Sequence, residues 1–288
     1  QINMSGGWSF SPTTRLSGDV SFGRATQNQA FLPYTINPVL AATITQAMPA
    51  TSLDGEVNTK YMGLRFSMQP LDNLSLGANY KFDERDNNTE EHEWVYIGGD
   101  SLAQNTAATS GQRRYNEPKS YKEQSFKFDA TWRTTDWLTI AGEGQYRKIE
   151  RPHQEREEID EDRYALNFTI DTGNWWSGGL RMTSSRRDGG SEYLGYETLI
   201  GGYAPGYYNT LLPFINGIPF ENHPDLRKYN QADRDRKNGQ LFATFMPVDE
   251  VAISASIDYS EDDYTDSIYG LTFSRVSAYN FDAAWSPA

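Results

Sequence analysis

The chain has 288 residues and carries 39 acidic against 26 basic side chains, which gives a formal net charge of −13. Such an acidic chain repels phosphate backbones, so we do not expect a nucleic-acid partner. The absence of cysteine excludes a disulfide framework, a zinc–thiolate site and covalent attachment of c-type haem within these residues.

No run of about 18 apolar residues occurs, which excludes a transmembrane helix but not transmembrane strands. Only every second residue of such a strand faces lipid, so a hydrophobic fraction of 37% is compatible with it. Aromatic residues make up 14% of the chain, too many for a disordered protein. No signal-peptide pattern follows Gln1, and we expect any signal peptide to have been removed or to precede this residue.

A unit of strand, tight turn and strand recurs along the chain. Its copies are WSFSPTTRLSGDVSF (8–22), FSMQPLDNLSLGANY (66–80), TWRTTDWLTIAGEGQY (131–146), TIDTGNWWSGGLRM (169–182) and TFMPVDEVAISASIDY (244–259). The turns near 11–15, 69–73, 133–137, 172–175 and 247–250 contain Pro, Asp, Thr or Gly, which favour tight turns. AAWSPA (283–288) resembles the start of a further unit, and we predict about eleven strands in all.

The predicted strands alternate between apolar and polar residues with a period of two, which places the two sets on opposite faces. The apolar sets of 74–83 and 251–260 are Leu74, Leu76, Ala78, Tyr80 and Phe82, and Val251, Ile253, Ala255, Ile257 and Tyr259. Segments 125–132, 138–147 and 164–171 follow the same pattern. Arg or Lys facing lipid costs roughly 2–4 kcal/mol at mid-membrane, and no apolar set contains a charge. The apolar face is therefore predicted to contact lipid.

The opposite face carries charges of both signs. Its candidates for lining a water-filled lumen or contacting an enclosed partner are Lys81, Asp83, Lys127, Asp129, Glu143, Arg147 and Asp258. A narrow selectivity ring of one sign is not visible.

The connections between strands alternate in length. The longer ones fall near 25–56, 86–120, 152–161, 188–235 and 264–273, and such long loops are rare in compact soluble domains. Outer-membrane barrels have short periplasmic turns and long extracellular loops. We therefore predict an all-β fold, a section of a transmembrane antiparallel up-and-down barrel over 1–288. The turns near 11–15, 69–73, 133–137, 172–175 and 247–250 are then periplasmic, and the loops near 25–56, 86–120 and 188–235 extracellular.

Tryptophans lie close to the short turns, which predicts a girdle at the periplasmic interface. Its members are Trp8, Trp132, Trp137, Trp175, Trp176 and Trp285, whereas Trp94 lies in a long loop. Tyr80, Tyr146, Tyr164 and Tyr259 are candidates for the outer girdle. The alternative is a soluble β-sandwich, in which the apolar faces pack against each other. Strands of about 9–12 residues favour the barrel, and an odd strand count predicts a section of a larger one.

No metalloprotease, nucleophile-elbow or phosphate-loop motif is present, so we predict neither an enzyme nor a metal site. His92, His153 and His223 lie far apart in predicted loops. The acidic clusters at 90–93, 155–162 and 261–263 indicate solvated loop charge. They leave open Ca²⁺ binding, or docking to a partner domain or to lipopolysaccharide through divalent ions.

The segment HPDLRKYNQADRDR (223–236) is dense in Arg and Asp. One interpretation is a self-paired surface loop, and the other is a folded-in loop or a partner contact. The candidate contact residues are Arg227, Lys228, Tyr229, Asp233, Arg234, Asp235 and Arg236.

The sequence NHPDLRKYNQADRDRKNGQLFATFMP (222–247), with VAISASIDYSEDDY (251–264) and YGLTFSR (269–275), resembles the decahaem-associated outer-membrane proteins of the MtrB/PioB family. The short-turn units fit the same family over nearly the whole chain. The N-terminal cysteine pair frequent in that family is not found in this sequence.

This resemblance implies a bacterial outer-membrane protein whose barrel encloses a periplasmic multihaem c-type cytochrome, with haem carried by that partner and no cofactor in this chain. The barrel would insulate a path for electrons, in some cases toward an extracellular multihaem cytochrome. Two other hypotheses stay open. One is a solute-conducting porin or receptor barrel without a cytochrome, and the other is a soluble or surface-displayed β-protein used for adhesion.

Overall fold

The computed structural model describes residues 1–42, 44, 47–95, 113–152, 154, 156–173, 175–189, 226–248 and 250–286. Its long strands are β1 (Ile2–Ser11), β2 (Thr14–Gln27), β3 (Gly55–Leu71), β4 (Leu74–Asn87), β7 (Tyr121–Arg133), β8 (Leu138–Glu150), β9 (Glu158–Asp171), β10 (Trp176–Asp188), β12 (Arg234–Val248), β13 (Val251–Asp263) and β15 (Phe273–Trp285). The short elements are α1 (Pro38–Ala41), β5 (Glu93–Val95), β6 (Arg113–Tyr115), β11 (Leu226–Arg227) and β14 (Tyr269–Gly270).

The long strands form one eleven-stranded sheet in which every neighbouring pair is antiparallel. The strand order is β1-β2-β3-β4-β7-β8-β9-β10-β12-β13-β15, so strands follow one another as in an up-and-down barrel. The predicted number and arrangement of strands are confirmed. Within the described residues the sheet is not closed, and β1 and β15 form its two edges.

Long and short connections alternate along the sheet. The short connections are 12–13, 72–73, 134–137, 172–175 and 249–250, and all of them lie at one end of the strands. We call this end the turn end and the opposite end the loop end. The membrane side on which each end lies stays a prediction.

The short connections are closed by local side-chain bonds. The Asp171 carboxylate accepts from the backbone N–H of Gly173 at 2.9 Å, and Gly173 has a φ of 81°, which glycine adopts without strain. The Thr135 hydroxyl accepts from the backbone N–H of Leu138 at 3.0 Å. Such bonds fix the turn and thereby the register of the strands on either side.

Two predicted loop segments extend into strands. Glu158 to Asp162 belong to β9, and Glu261 to Asp263 belong to β13, so most of these acidic residues are not loop charges. Likewise Arg234, Asp235 and Arg236 are strand residues of β12. Here cross-strand pairing with oppositely charged neighbours outweighs the weak β-propensity of charged residues.

The described residues contain one main layer and very little core. Their buried hydrophobic residues are Ile149, Ile159, Ala232 and Tyr264, all near the loop end. Phe128, in the middle of the apolar face, is 48% exposed, and no second sheet packs over it. The soluble β-sandwich is therefore wrong for the described part of the chain. None of the described helices is long and apolar enough to cross a membrane.

Candidate functional site

The register joins the apolar sets of all eleven strands into one continuous face. Directly paired residues of antiparallel strands point to the same side, as Met68 and Leu76 do, and likewise Leu76 and Ala130. The central members of this face are Met4, Gly6, Leu16, Gly18, Val20, Met62, Leu64, Phe66, Leu76, Ala78, Phe126, Phe128, Ala130, Ile140, Gly142, Gly144, Leu166, Phe168, Leu180, Met182, Gly239, Leu241, Ala243, Ile253, Ala255, Ile257, Tyr279 and Phe281. None of them is charged, which is what contact with hydrocarbon requires.

Four of the predicted girdle tryptophans lie on this apolar face at the turn end. Trp132 pairs with Leu74 and Ile140, and Trp285 pairs with Val251. Trp8 and Trp176 occupy the matching positions of β1 and β10. Trp137 and Trp175 lie in the short connections themselves, and the Trp175 ring meets Phe245 edge-on at 5.7 Å between centroids. Their role as an interfacial girdle stays a prediction.

The opposite, polar face is concave. A cavity of about 580 Å³ is lined by side chains from β7, β8, β9, β10 and β12, including Arg147, Arg163 and Arg236. Side chains from five neighbouring strands converge on one space only if the sheet curves toward them. The register places all seven lumen candidates on this polar face. Whether they contact a partner stays a prediction.

Charged side chains of the polar face bind one another across strands. The Glu123 carboxylate lies between the Lys81 ammonium at 3.4 Å and the Arg147 guanidinium at 2.9 Å. Four residues closer to the turn end on the same two strands, the Lys127 ammonium lies 2.6 Å from Glu143. These pairs neutralise opposite charges locally, so the face presents a mixed pattern and not a field of one sign.

Three further lumen candidates have neutral contacts. Asp258 accepts hydrogen bonds from Gln240 at 2.6 Å and from Asn280 at 3.2 Å. Asp83 accepts from the Tyr121 hydroxyl at 3.3 Å, in addition to its contact with Lys81 at 3.5 Å.

The third, Asp129, lies over a glycine of the neighbouring strand. A Cβ at Gly77 would approach an Asp129 carboxylate oxygen to 2.6 Å, so the glycine provides the space that this side chain occupies.

Arg15, Arg65, Arg133 and Phe242 lie on the polar face toward the turn end, and most of the other positions there are taken by small residues. The small residues are Ser5, Gly7, Ser9, Ser17, Ser67, Ser75, Gly77, Thr131, Thr139, Ala141, Thr169, Ser177, Gly179, Thr244, Ala252, Ser254 and Ala284. Short side chains leave the backbone of the wall within reach of whatever lies beside it. Between the long side chains, this part of the polar face therefore presents backbone and hydroxyl groups.

Residues of the Arg- and Asp-rich segment form ion pairs with other residues of the same chain. Arg234 contacts Glu161 at 3.0 Å, and Arg236 makes a bidentate pair with Asp262 at 2.5 and 2.7 Å. Such fork-like geometry is the strongest form of ion pair. Asp233 accepts from Arg156 at 2.7 Å.

Other residues of the segment are placed differently. Tyr229 is 65% exposed, and Asp235 lies on the outward face of β12. The backbone carbonyl of Lys228 accepts from Ala232 at 2.9 Å in a turn before β12. Arg227 lies in β11, but its side chain is outside the described residues, as are His153 and His223. Partner contact by this segment stays a prediction.

The sequence analysis missed Glu123 and Arg163, and it interpreted Glu161 and Asp262 as part of solvated acidic clusters. All four take part in ion pairs of the polar face. Asp262 has the same parity in its strand as Asp258, and Glu123 has the same parity as Lys127. Extending the alternation toward the loop end would have found them. Within the described ranges, no group of three or more metal-ligating side chains is positioned to hold a metal ion.

Comparison with known proteins identifies relatives of the chain. A family model described as outer membrane beta-barrel porin, MtrB/PioB, matches residues 1–288. The chain is 28% identical over 273 residues to the outer membrane protein MtrB of Shewanella baltica (strain OS185). That alignment covers 95% of this chain and 34% of the relative, so the chain spans about a third of that protein's length.

Solved structures give weaker similarities. Outer-membrane expressed OmpT of Vibrio cholerae has a TM-score of 0.41 at 10% identity, covering 98% of this chain and 87% of that one. The ferric yersiniabactin uptake receptor FyuA of Yersinia pestis has a TM-score of 0.40 at 12% identity, covering 98% and 40%. Similarity at this level does not establish a shared fold.

Proposed function

The chain belongs to the MtrB/PioB family of porin-like outer-membrane β-barrel proteins, and from that membership we propose that it forms part of a sheath around a multihaem c-type cytochrome. In this proposal the barrel wall positions the cytochrome in the outer membrane and insulates it while electrons cross. The haem groups and their redox chemistry belong to the partner.

The observation that carries the proposal is the small-residue lining of the polar face toward the turn end. A protein occupant packs closely against the stretches of Ser, Gly, Thr and Ala that lie between the long side chains of Arg15, Arg65, Arg133 and Phe242. The Ser and Thr hydroxyl groups supply hydrogen bonds to polar groups of the occupant, which would otherwise be desolvated at a cost. The apolar face, on the other side of the same strands, meanwhile contacts the lipid.

The ionic part of the polar face supports the same role. Each cation beside Glu123 or Glu143 already has a carboxylate partner, so the wall does not impose a single sign on its contents. A mixed surface complements a folded protein better than a selective solute path.

The haem would be held entirely by the partner. The chain has no cysteine for thioether attachment, and His92, the one histidine among the described residues, packs beside Trp94 at 6.4 Å between ring centroids. An extracellular multihaem cytochrome would dock on the long connections. Two of these connections meet where Phe31 packs edge-on against Trp94 at 4.9 Å.

The test uses the full-length protein extracted in mild detergent. We expect a complex with haem absorbance and a covalent haem stain on a second polypeptide. Ser75→Trp adds a bulky ring to the polar face beside Thr131, and we expect the haem-to-barrel ratio to fall about tenfold because the contact becomes overpacked.

Ser277→Trp is the matched control, because Ser277 pairs with Tyr259 on the apolar face. This variant is expected to keep its haem. A wild-type complex without haem, or full haem retention in Ser75→Trp, contradicts the sheath.

A solute-conducting porin or receptor barrel is the second candidate. The polar cavity of about 580 Å³, lined in part by Arg163 with a 48% exposed side chain, is the observation that favours it. This candidate predicts ion conductance of the full-length barrel in planar bilayers and no haem-bearing polypeptide in the purified complex.

A further inference from the structure

Near the loop end, the lipid-facing side of the sheet changes abruptly from apolar to charged. Tyr146 and Tyr259 are the last aromatic residues on this side of β8 and β13, and Lys148 and Glu261 are the next residues of the same parity. The carboxylates on this side outnumber the cations, and they include Glu84, Glu150, Glu158, Asp160, Asp162, Asp188, Asp235, Glu261 and Asp263. The basic residues at this level are Lys60, Lys122, Lys148, Arg186, Lys237 and Arg275. We call these six residues the cationic collar.

The register assigns the collar to the outward side and not to the lumen. Lys60 pairs with Glu84, which pairs with Lys122, and all three share the parity of Phe82 and Phe126. The collar is thus a direct continuation of the lipid-contacting face. Lys148 lies two residues beyond Tyr146, about 7 Å along the strand, which is the depth of lipid head groups.

Collar cations are paired with carboxylates but stay accessible. Lys60 contacts Glu84 at 2.7 Å with its side chain 51% exposed, and Arg275 contacts Glu261 at 2.7 Å with its side chain 57% exposed. An ammonium or guanidinium has several N–H donors, so one carboxylate contact leaves others free for a phosphate. The surface therefore presents accessible cations among a larger number of carboxylates.

The turn end has no comparable ring. There the outward residues of the described strands end in uncharged positions such as Phe10, Leu138, Ile170 and Trp285. One end of the wall therefore suits an interface of apolar and aromatic contacts, and the other suits an ionic layer. Only the outer leaflet of an outer membrane contains a glycolipid whose head groups carry several phosphates bridged by divalent cations.

We infer that the cationic collar binds the phosphorylated head groups of lipopolysaccharide in the outer leaflet. Collar ammonium and guanidinium groups contact phosphate oxygens, and the neighbouring carboxylates face the divalent cations that bridge those phosphates. A surface that carries cations together with an excess of carboxylates fits a lattice of phosphates and divalent cations better than it fits a phospholipid layer without such cations. The inference depends on outer-membrane location and on the predicted placement of the loop end in the outer leaflet, and not on the cytochrome.

The test is binding of purified rough lipopolysaccharide to the full-length protein in detergent with Mg²⁺, followed by native electrophoresis. The double variant Lys122→Gln/Lys148→Gln is expected to bind about fivefold more weakly for each cation removed. The control is Lys81→Gln/Lys127→Gln, which removes the same charge from the polar face and is expected to bind like the wild type. Chelation of Mg²⁺ is expected to weaken wild-type binding.

Heat-modifiable mobility on gels shows whether each variant is folded, and Lys60→Gln/Arg275→Gln replaces the first pair if that pair does not fold. Unchanged lipopolysaccharide binding in the folded collar variant overturns the inference. The inference is also overturned if phosphatidylglycerol in the same detergent binds the wild type as tightly as lipopolysaccharide does and loses the same affinity in the collar variant. The collar would then recognise phospholipid head groups.

Discussion

The guanidinium of Arg156 donates to the carboxylate of Asp233 at 2.7 Å across 77 residues of sequence. Arg156 is only 5% exposed, and it also donates to the backbone carbonyl of Gly189 at 3.0 Å. Asp233 in turn accepts from the backbone N–H of Gly189 at 2.9 Å. The pair therefore ties the β8–β9 connection to the end of β10 and to the segment before β12.

Arg156→Ala is expected to release that segment. Removing one partner of a buried ion pair leaves the other charge uncompensated, at a cost of about 3 kcal/mol. Hydrogen exchange of backbone amides at 226–234 should accelerate by two orders of magnitude in the folded protein. Arg186→Ala is the control, because Arg186 has a 73% exposed side chain and lies 3.9 Å from Asp188. Equal protection in both variants would show that the pair does not anchor the segment.

Adjacent residues of β7 are expected to respond in opposite ways to the same substitution. Ala130→Arg places a cation on the face that contacts hydrocarbon, at a cost of roughly 2–4 kcal/mol near mid-membrane. Thr131→Arg places it on the polar face beside Ser75 and is expected to be tolerated. Urea unfolding in lipid vesicles measures both. Similar unfolding midpoints for the two variants would mean that the faces are assigned wrongly.

Glu123→Gln is expected to make the interior more anion-selective. It leaves the Lys81 ammonium and the Arg147 guanidinium without their shared carboxylate, and because these groups are partly exposed the loss of stability is expected to be about 1 kcal/mol or less. Reversal potentials of the full-length barrel, free of other proteins, measure the selectivity under a salt gradient. Glu84→Gln removes the same charge from the outward side and should leave the potential unchanged.

The predicted tryptophan girdle implies that quenching of Trp fluorescence depends on the depth of each residue in the membrane. In a variant of the full-length protein that keeps only Trp132, the Trp fluorescence should be quenched by lipids brominated near the acyl carbonyls, because this residue ends the apolar face at the turn end. A variant that keeps only Trp94, in β5, should be quenched by iodide in water. Quenching of both by iodide alone would place the turn end outside the membrane.

The sequence predicts the two faces well because the signal is local. A period of two in one strand separates Phe128 from Asp129 whatever lies beside that strand, and the short turns fix each hairpin on their own. The same locality explains why the positions of the short connections could be read from residue types such as Pro, Asp and Gly.

Interactions between distant residues could not be predicted in the same way. Arg156 lies in a charged stretch that indicates solvated loop, and its burial depends on a segment that returns 77 residues later. The pairing of Lys81 with Glu123 needs the register of β4 with β7, across a connection of more than thirty residues. The short strands β5, β6, β11 and β14 lack any alternation long enough to detect.

The register of the eleven strands, which shifts by one residue only beside three of the short turns, also constrains how these strands can change in length. Insertion of one residue inside a strand would move every following side chain of that strand to the opposite face, so that charged groups would contact lipid and apolar groups would face the interior. Insertion of two residues would restore the pattern. Insertions and deletions should therefore accumulate in the long connections at the loop end. Homologues of this sheet are expected to differ there by any number of residues, but within the strands, away from the register shifts beside the short turns, only by even numbers.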